Sequence, residues 1–183
     1  MTTRPPRLAG PAVVLEPAPA TVARAVRAGD DPAGALSAVG LTAGRGWPHA
    51  ETPDALRGGA AGYLVVLDGA VVGECGFLGP VGADGSWEIS YGLAAPARGR
   101  GTATEAVGLL AAWAEQQDGV TRLTADVLVG NEPSRRLLRR LAFTECGGAP
   151  PYVHYARESA PAVAAALAPA VARPRRITGR HVC

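Results

Sequence analysis

The sequence contains no lysine, since all 18 of its strongly basic residues are arginine. A Schiff-base lysine and the lysine of a phosphate-binding P-loop are therefore excluded. Cysteine is also scarce, and Cys75, Cys146 and Cys183 lie far apart in the chain. This spacing argues against a short metal-binding or redox pair, and the odd number prevents a complete set of disulfides. We therefore expect no metal site and a reducing, cytoplasmic location.

Aromatic residues make up only 5% of the chain, so its core must be largely aliphatic. With 48% hydrophobic residues in a length of 183, the composition is typical of one globular domain with tails. The net charge of +2 is too small to indicate a nucleic-acid or membrane partner. The apolar run 8–15 contains Pro11 and stops at Glu16, so it is too short to span a membrane. The bias toward Arg, Ala, Gly and Pro resembles bacterial GC-rich coding.

The centre of the chain predicts an antiparallel meander. Tyr63–Leu67 is a run of strand-forming residues, Asp68-Gly69 is a tight hairpin signal, and a second strand follows at 70–78. After a turn at 79–85, Ser86–Leu93 predicts a third strand. Before the meander, the pattern indicates one short strand at 12–16. It also indicates three helical stretches, at 21–28, 31–39 and 52–57.

The second half predicts alternating helices and strands. Small and apolar residues recur at helical spacing over Thr102–Gln116, and residues 121–129 alternate as a strand. Asn131–Leu141 predicts a second helix with Asn131 as its cap, and residues 152–157 a last strand. We expect a mixed α/β sheet with helices on its faces, a catalytic domain over 1–158, and an Ala/Pro/Arg-rich tail over 159–183.

The loop before the first of these helices carries the strongest chemical signal. Gly99 and Gly101 allow close backbone approach, and the amides of the helix's first turn add partial positive charge. Arg98 and Arg100 add guanidinium groups whose geometry matches phosphate oxygens. Together these features predict a pyrophosphate site. An ordinary glycine-containing turn with exposed arginines is the alternative.

Two motifs resemble the GNAT superfamily of acetyltransferases. Arg98–Ala103 resembles its Arg/Gln-x-x-Gly-x-Gly/Ala signature, and Asn131–Ser134 resembles its Asn-x-x-Ser helix. Leu141–Phe143 is similar to the family's Leu-Gly-Phe ending, with Ala142 where glycine is usual. The motifs occur in the family's order, and the resemblance extends over residues 62–155.

Within the third strand of the meander, Glu88–Tyr91 is similar to one branch of the family, the ribosomal-protein N-terminal acetyltransferases, although Ser90 replaces its usual glycine. The resemblance implies the GNAT fold, a mixed and mostly antiparallel central sheet with helices on both faces. It also implies that the sheet is split between its fourth and fifth strands.

The resemblance further implies acetyl-CoA as the cosubstrate, with its pantetheine arm in the split and its pyrophosphate on the glycine loop. Asn131 and Ser134 would contact the arm or its thioester end. The residues implied along the rest of the coenzyme are Leu93, Ala94, Ala95, Arg98, Gly99, Arg100, Gly101, Thr102 and Ala103.

The expected reaction is direct transfer of acetyl to a primary amine in a ternary complex. An amine attacks only when neutral, whereas an alkyl ammonium has a pKa near ~10.4 and an α-amino group near ~7.7 to 8.0. Glu88 is the best-placed general base on the family's strand, acting through a water. Glu74, on the neighbouring strand, is the alternative. Either the short turn at 79–85 brings the two carboxylates side by side, or Glu74 is a solvated strand residue.

Many GNAT enzymes protonate the departing thiolate with a tyrosine, but Leu138 occupies that position here. Ser134 is the replacement that we expect, with solvent as the alternative. Tyr91 is predicted to be a core residue, and His49 a loop residue rather than a base. His154 and Cys75 are predicted to be structural.

The acceptor is left open between a peptide N-terminus and a small-molecule amine, and a homodimer is also left open. A catalytically silent acyl-CoA sensor is the alternative function. A Rossmann-type dinucleotide site is disfavoured, because the glycine loop follows an antiparallel meander rather than the first strand of a parallel repeat.

Overall fold

The computed structural model describes residues 5–50, 52, 56 and 62–159. These residues form nine strands and four α-helices, with a short 3-10 turn over Ala95–Ala97. The strands are β1 Leu8–Ala9, β2 Val13–Pro17, β3 Thr42–Ala43, β4 Tyr63–Leu67, β5 Ala70–Phe77, β6 Ser86–Leu93, β7 Arg122–Leu128, β8 Thr144–Gly147 and β9 Tyr152–Glu158. The helices are α1 Ala20–Ala28, α2 Pro32–Ser37, α3 Thr102–Ala114 and α4 Glu132–Arg140.

The strands form one sheet in the order β1-β2-β4-β5-β6-β7-β9-β8, and β3 adds a short parallel pairing to β5. The β6–β7 pair is also parallel, and the other neighbours are antiparallel. The prediction of a mixed, mostly antiparallel sheet is confirmed.

The predicted hairpin between β4 and β5 is present. Asp68 and Gly69 have φ values of 49° and 78°, so both central positions of the turn are left-handed. This geometry matches the right-handed twist of the flanking strands, which explains why Asp-Gly is a strong hairpin signal. β5 ends at Phe77, one residue before the predicted end, and β6 has the predicted bounds.

The sheet is split between β6 and β7, which correspond to the fourth and fifth predicted strands, so the expected position of the split is confirmed. The two strands pair only where Ser86–Glu88 meets Arg122–Thr124. Beyond Glu88, β6 continues to Leu93 with no further pairing to β7, while β7 pairs along its length with β9. One stretch of β6 backbone is therefore left available to a ligand on the side that faces β7.

Both faces of the sheet carry helices, as predicted. The core on one face includes Val107, Leu110 and Leu138, contributed by α3 and α4. The core on the other face includes Val22 and Leu36, contributed by α1 and α2. This second core lies against β4 and the start of β5, so α1 and α2 cover that part of the sheet.

Several elements differ from the prediction. The short strands β1, β3 and β8 were not predicted, and α3 ends two residues before Gln116. Most of the predicted helical stretch at 52–57 lies outside the described residues, as does nearly all of the predicted tail, from residue 160 on. The division into a domain and a tail stays a prediction. None of the helices described is long and apolar enough to cross a membrane.

Candidate active site

The glycine loop lies where β6 ends and α3 begins. Gly99 and Gly101 have φ values of 78° and 82°, which residues with a side chain rarely adopt, and Gly101 forms the N-terminal cap of α3. The first amides of a helix have no acceptor within the helix, so those of Thr102 and the residues after it are available to an anion. Arg98 donates from Nε to the Leu93 carbonyl over 2.8 Å, which holds its side chain against the end of β6.

A cavity of about 770 Å³ lies beside this loop. It is lined by Arg98, Leu128, Val129, Gly130, Asn131, Pro133, Pro150 and Pro151. Asn131 also caps α4, because its Oδ1 accepts a hydrogen bond from the Ser134 amide over 3.3 Å. The cavity therefore joins Arg98 of the first motif to Asn131 of the second, which are 33 residues apart in the sequence.

These features fit coenzyme A as a ligand. The amides and positive end of α3 suit a pyrophosphate, and the largely apolar cavity suits a pantetheine arm. The unpaired stretch of β6 beyond Glu88 offers backbone groups to the amides of that arm. Three independent parts of the site thus suit three successive parts of one molecule.

Ser134 lies in the first turn of α4, on the α3 and α4 side of the sheet. Its hydroxyl faces Tyr91, whose pKa is raised by burial and lowered in part by Ser134. Tyr91 packs against the main core, as predicted, and Leu138 is fully buried. Ser134 is the one hydroxyl-bearing residue of α4, and it lies near Tyr91 of β6.

Glu88 lies on the opposite face, at the point where β6 and β7 separate. It lines a cavity of about 240 Å³ with Thr124, Asp126, Cys146, His154 and Tyr155. Burial raises the pKa of Glu88, Asp126 raises it further, and His154 acts in the opposite direction. The His154 ring contacts the Asp126 carboxylate through Nδ1. Glu88 therefore holds a proton more readily than an ordinary carboxylate does.

Glu74 does not lie beside Glu88. The register places Glu74 opposite Gly92, four residues along β6 from Glu88, which corresponds to about 13 Å along the strand. The possibility that the turn brings the two carboxylates side by side is therefore wrong. The alternative of a solvated strand residue is also wrong, since Glu74 is only 1% exposed.

Glu74 is instead covered by the segment that precedes the meander. Trp47 donates from Nε1 to Glu74 Oε2 over 3.1 Å, and His49 Nε2 lies 2.8 Å from Glu74 Oε1. Burial raises the pKa of Glu74, while the charge of His49 and the hydrogen bond from Trp47 lower it in part. His49 lies in a loop, as predicted, but its ring is fixed against a buried carboxylate.

Sequence reasoning missed two residues of this face, Trp47 and Asp126, and also the pairing of His154 with Asp126. Asp126 was visible in the alternation of β7, where Leu123, Ala125 and Val127 are buried and the residues between them face the other way. Glu88 shares that second face because it pairs with Thr124. Trp47 and His49 lie 27 and 25 residues before Glu74 in the sequence. No local sequence pattern indicates that they contact it.

The family model of the acetyltransferase (GNAT) domain matches residues 14–144. This match confirms the resemblance identified from the two motifs. No curated protein matches the sequence.

Many solved structures are similar in fold, and three of them illustrate the likeness. An acetyltransferase of the GNAT family from Bacillus anthracis has a TM-score of 0.60 at 16% identity, over 84% of this chain and 98% of its own. RimL, a ribosomal L7/L12 α-N-protein acetyltransferase in complex with coenzyme A, has a TM-score of 0.61 at 18% identity, and the match covers 84% of this chain and 98% of RimL. Mycobacterium smegmatis RimJ, in complex with CoA-disulfide, has a TM-score of 0.57 at 24% identity, and the match covers 84% of this chain and 86% of RimJ.

Proposed function

The chain belongs to the GNAT acetyltransferase family, and from that premise we propose that it transfers an acetyl group from acetyl-CoA to a primary amine in a ternary complex. One observation carries the proposal. The split beside β6 has the glycine loop at one end and the carboxylate of Glu88 at the other. The donor and a proton acceptor would then meet along one strand.

On the donor side, the amides of Arg100, Gly101, Thr102 and Ala103 hold the pyrophosphate, with Arg98 and Gly99 beside them. The backbone of Leu93–Ala95 pairs with the pantetheine arm, and Asn131 and Ser134 contact it from α4. The cavity beside Asn131 and the unpaired edge of β6 support this assignment. When bound, acetyl-CoA supplies the thioester that the amine attacks.

On the acceptor side, Glu88 and Asp126 place two carboxylates in one small cavity. Their charges attract an ammonium group, and the neutral amine forms once a proton has left it. Glu88 takes this proton, either directly or through a water. The raised pKa of Glu88 supports the role, because it brings the carboxylate closer to the pH at which a general base works best.

The amine nitrogen then forms a bond to the thioester carbon, the carbon–sulfur bond breaks with its electron pair on sulfur, and the nitrogen loses its second proton to solvent. Ser134 is positioned to give a proton to the leaving thiolate and to recover one from solvent. Its location across β6 from Glu88 supports this division of roles, since the acid and the base then reach the split from opposite faces.

A peptide α-amine is the first acceptor class to test. The sequence of β6 resembles the ribosomal-protein branch, and RimL, named as an α-N-protein acetyltransferase, shares the fold. The second class is small-molecule amines, which the open side of the Glu88 cavity also admits.

The test measures release of coenzyme A against a panel of peptides and small amines, with product identified by mass spectrometry. Glu88→Gln is the matched variant, and acetyl-CoA binding is followed by calorimetry in both proteins. We expect an acetylated amine, with a kcat at least 100-fold lower in Glu88→Gln and unchanged acetyl-CoA binding. Binding without turnover on a broad panel would instead favour a silent acyl-CoA sensor.

A further inference from the structure

Two exposed apolar side chains lie beside the Glu88 cavity, on the sheet face that carries Asp126. In β7, Asp126 and Leu128 face away from the main core, because burial alternates along the strand. In β9, His154 and Tyr152 are exposed for the same reason. Leu128 and Tyr152 form an apolar pair and are 48% and 47% exposed. Acidic and apolar side chains thus share one open surface.

The register of β7 against β9 sets the spacing on this surface. Asp126 lies opposite His154, and Leu128 lies opposite Tyr152. Residues directly opposite each other in an antiparallel ladder have Cβ atoms about 4.5 to 5.5 Å apart, so Leu128 and Tyr152 are neighbours on one face. Two residues along a strand span about 7 Å. The apolar pair is therefore displaced by about 7 Å along the sheet from Asp126.

The fold described does not cover the apolar pair. α1 and α2 pack against β4 and the start of β5, and no helix among the described residues lies over this face of β7 and β9. Single exposed apolar residues are ordinary, but adjacent ones at the edge of a polar cavity are typical of a binding surface. Neither Leu128 nor Tyr152 lines the Glu88 cavity, so a ligand must extend beyond that cavity to reach them.

We propose that the apolar pair selects the acceptor, and that the preferred acceptor is a peptide whose second residue is large and apolar, an inference that rests on the proposed function. The α-ammonium group lies at the carboxylates of Glu88 and Asp126. In an extended peptide the second Cα lies about 5 Å from the α-nitrogen, and a leucine side chain extends about 2 Å farther. The second side chain therefore reaches Leu128 and Tyr152 while the amine stays in the cavity.

The carboxylates and the apolar pair contribute differently to recognition. Glu88 and Asp126 attract every ammonium group, so they do not distinguish one peptide from another. A leucine side chain that packs on Leu128 and Tyr152 removes apolar surface from water on both sides of the contact. A serine side chain at the same place gains much less, because its hydroxyl loses hydrogen bonds to water there. The specificity therefore comes from the apolar pair.

Tyr152 provides the sharper test of the two residues. Leu128 also lines the cavity of about 770 Å³ in which the pantetheine arm is proposed to lie, whereas Tyr152 lines neither of the two cavities described. A change at Leu128 would therefore act on the donor and the acceptor together. A change at Tyr152 is expected to act on the acceptor alone.

The test compares kcat/KM for two peptides that are identical except at the second residue, which is leucine in one and serine in the other. We expect wild type to prefer the leucine peptide by about 10-fold or more. Tyr152→Ala should reduce this ratio by about 5-fold or more, whereas Tyr152→Phe should preserve it, because the aromatic ring remains. Calorimetry should show acetyl-CoA binding near that of wild type in both variants.

Val39→Ala is the matched control, because Val39 is 43% exposed and lies after α2, outside both cavities. This variant should leave the ratio unchanged. A general loss of structure would lower kcat/KM on both peptides alike, so it does not imitate the expected change in the ratio.

The absence of a preference for the leucine peptide in wild type would overturn the proposal, and so would a preference that Tyr152→Ala leaves intact. Weaker acetyl-CoA binding in Tyr152→Ala, with the ratio unchanged, would assign Tyr152 to the donor side instead. Acetylation of n-hexylamine but of neither peptide would overturn the choice of a peptide. Absence of acetylation of every amine by wild type would overturn the proposed function itself, which is a distinct result.

Discussion

Glu74 and Gly92 lie opposite each other in the β5–β6 ladder, and the missing side chain of Gly92 leaves the space that the Glu74 carboxylate occupies. The ring of His49 uses the same space. Cβ atoms essentially never come within 3.0 Å of such neighbours. A glycine at this position is therefore a condition for the buried pair.

Gly92→Ala tests this relationship. The added methyl group must displace the carboxylate or the ring, so we expect the free energy of unfolding to fall by about 1 to 3 kcal/mol. We also expect kcat to fall at least 10-fold, because the displaced stretch of β6 also carries Leu93, with which the pantetheine arm is proposed to pair. Urea unfolding and steady-state kinetics measure the two effects.

Gly108→Ala is the matched control. Gly108 lies inside α3, where, among the described residues, an added Cβ would meet only Leu141 Cδ2 at 3.6 Å, an ordinary contact. Alanine should raise the free energy of unfolding by about 0.5 to 1 kcal/mol there and leave turnover unchanged. If the two variants behave alike, Gly92 does not provide the space described.

The pH dependence of kcat/KM tests the surroundings of Glu88. A base must be ionised, and both burial and Asp126 raise the pKa of Glu88, so the acid limb of the profile should lie above the 4.5 of an ordinary glutamate. Asp126→Asn removes the repelling charge. The pKa of Glu88 should then fall, and the acid limb of the profile should move to lower pH.

The control for this shift is Asp84→Asn, which makes the same change of charge in the exposed turn before β6. The titration of the amine is common to all three proteins and cancels in the comparison. A limb that does not move in Asp126→Asn, or that moves equally in Asp84→Asn, would contradict the local effect.

Local sequence patterns predicted those parts of the fold that local physics determines. Asp68-Gly69 specifies its turn through two left-handed residues, and Asn131 specifies the start of α4 through its side-chain cap. The glycine loop before α3 was predicted for the same reason, because Gly99 and Gly101 and the helix that follows act within a few residues. The strand β8 has no such signal, since all four of its residues are exposed.

The pairing of Glu74 with His49 depends on tertiary packing and was not predicted. One signal was present, because Glu74 is surrounded in β5 by residues that are buried on both faces. A charged residue in a fully buried strand requires a partner, and the sequence does not say which of the chain's polar groups supplies it. The register of β5 against β6 was also needed, since it separates Glu74 from Glu88.

Glu105 links the start of α3 to the N-terminal strand β2. Its Oε1 accepts hydrogen bonds from the amides of Ala12 and Val13 over 2.8 and 2.9 Å. Glu105→Ala leaves both amides without this acceptor and removes a negative charge from the first turn of a helix. We expect the free energy of unfolding to fall by about 1 to 3 kcal/mol, as measured by urea titration.

Glu105→Gln keeps an oxygen acceptor and should lose less than Glu105→Ala. Glu158→Ala removes an exposed ion pair with Arg122 and should cost no more than about 1 kcal/mol. A loss in Glu105→Ala no larger than that in Glu158→Ala would show that the link to β2 contributes little.

Arg98 and Arg100 differ in how the fold holds them, and this difference separates their expected effects. Arg98 is attached to the end of β6 through the Leu93 carbonyl, whereas Arg100 is exposed on the loop. Arg100→Ala should therefore weaken acetyl-CoA binding by about 10-fold, with kcat unchanged, because it removes the proposed charge-assisted contact to phosphate. Arg98→Ala should weaken binding and also lower kcat, since the strand that aligns the thioester loses its attachment.

Calorimetry at low and high salt measures the weaker acetyl-CoA binding of Arg100→Ala, and high salt should diminish the difference from wild type. Arg24→Ala, an exposed arginine on α1, is the control for net charge, and wild-type affinity in Arg100→Ala would remove Arg100 from the site.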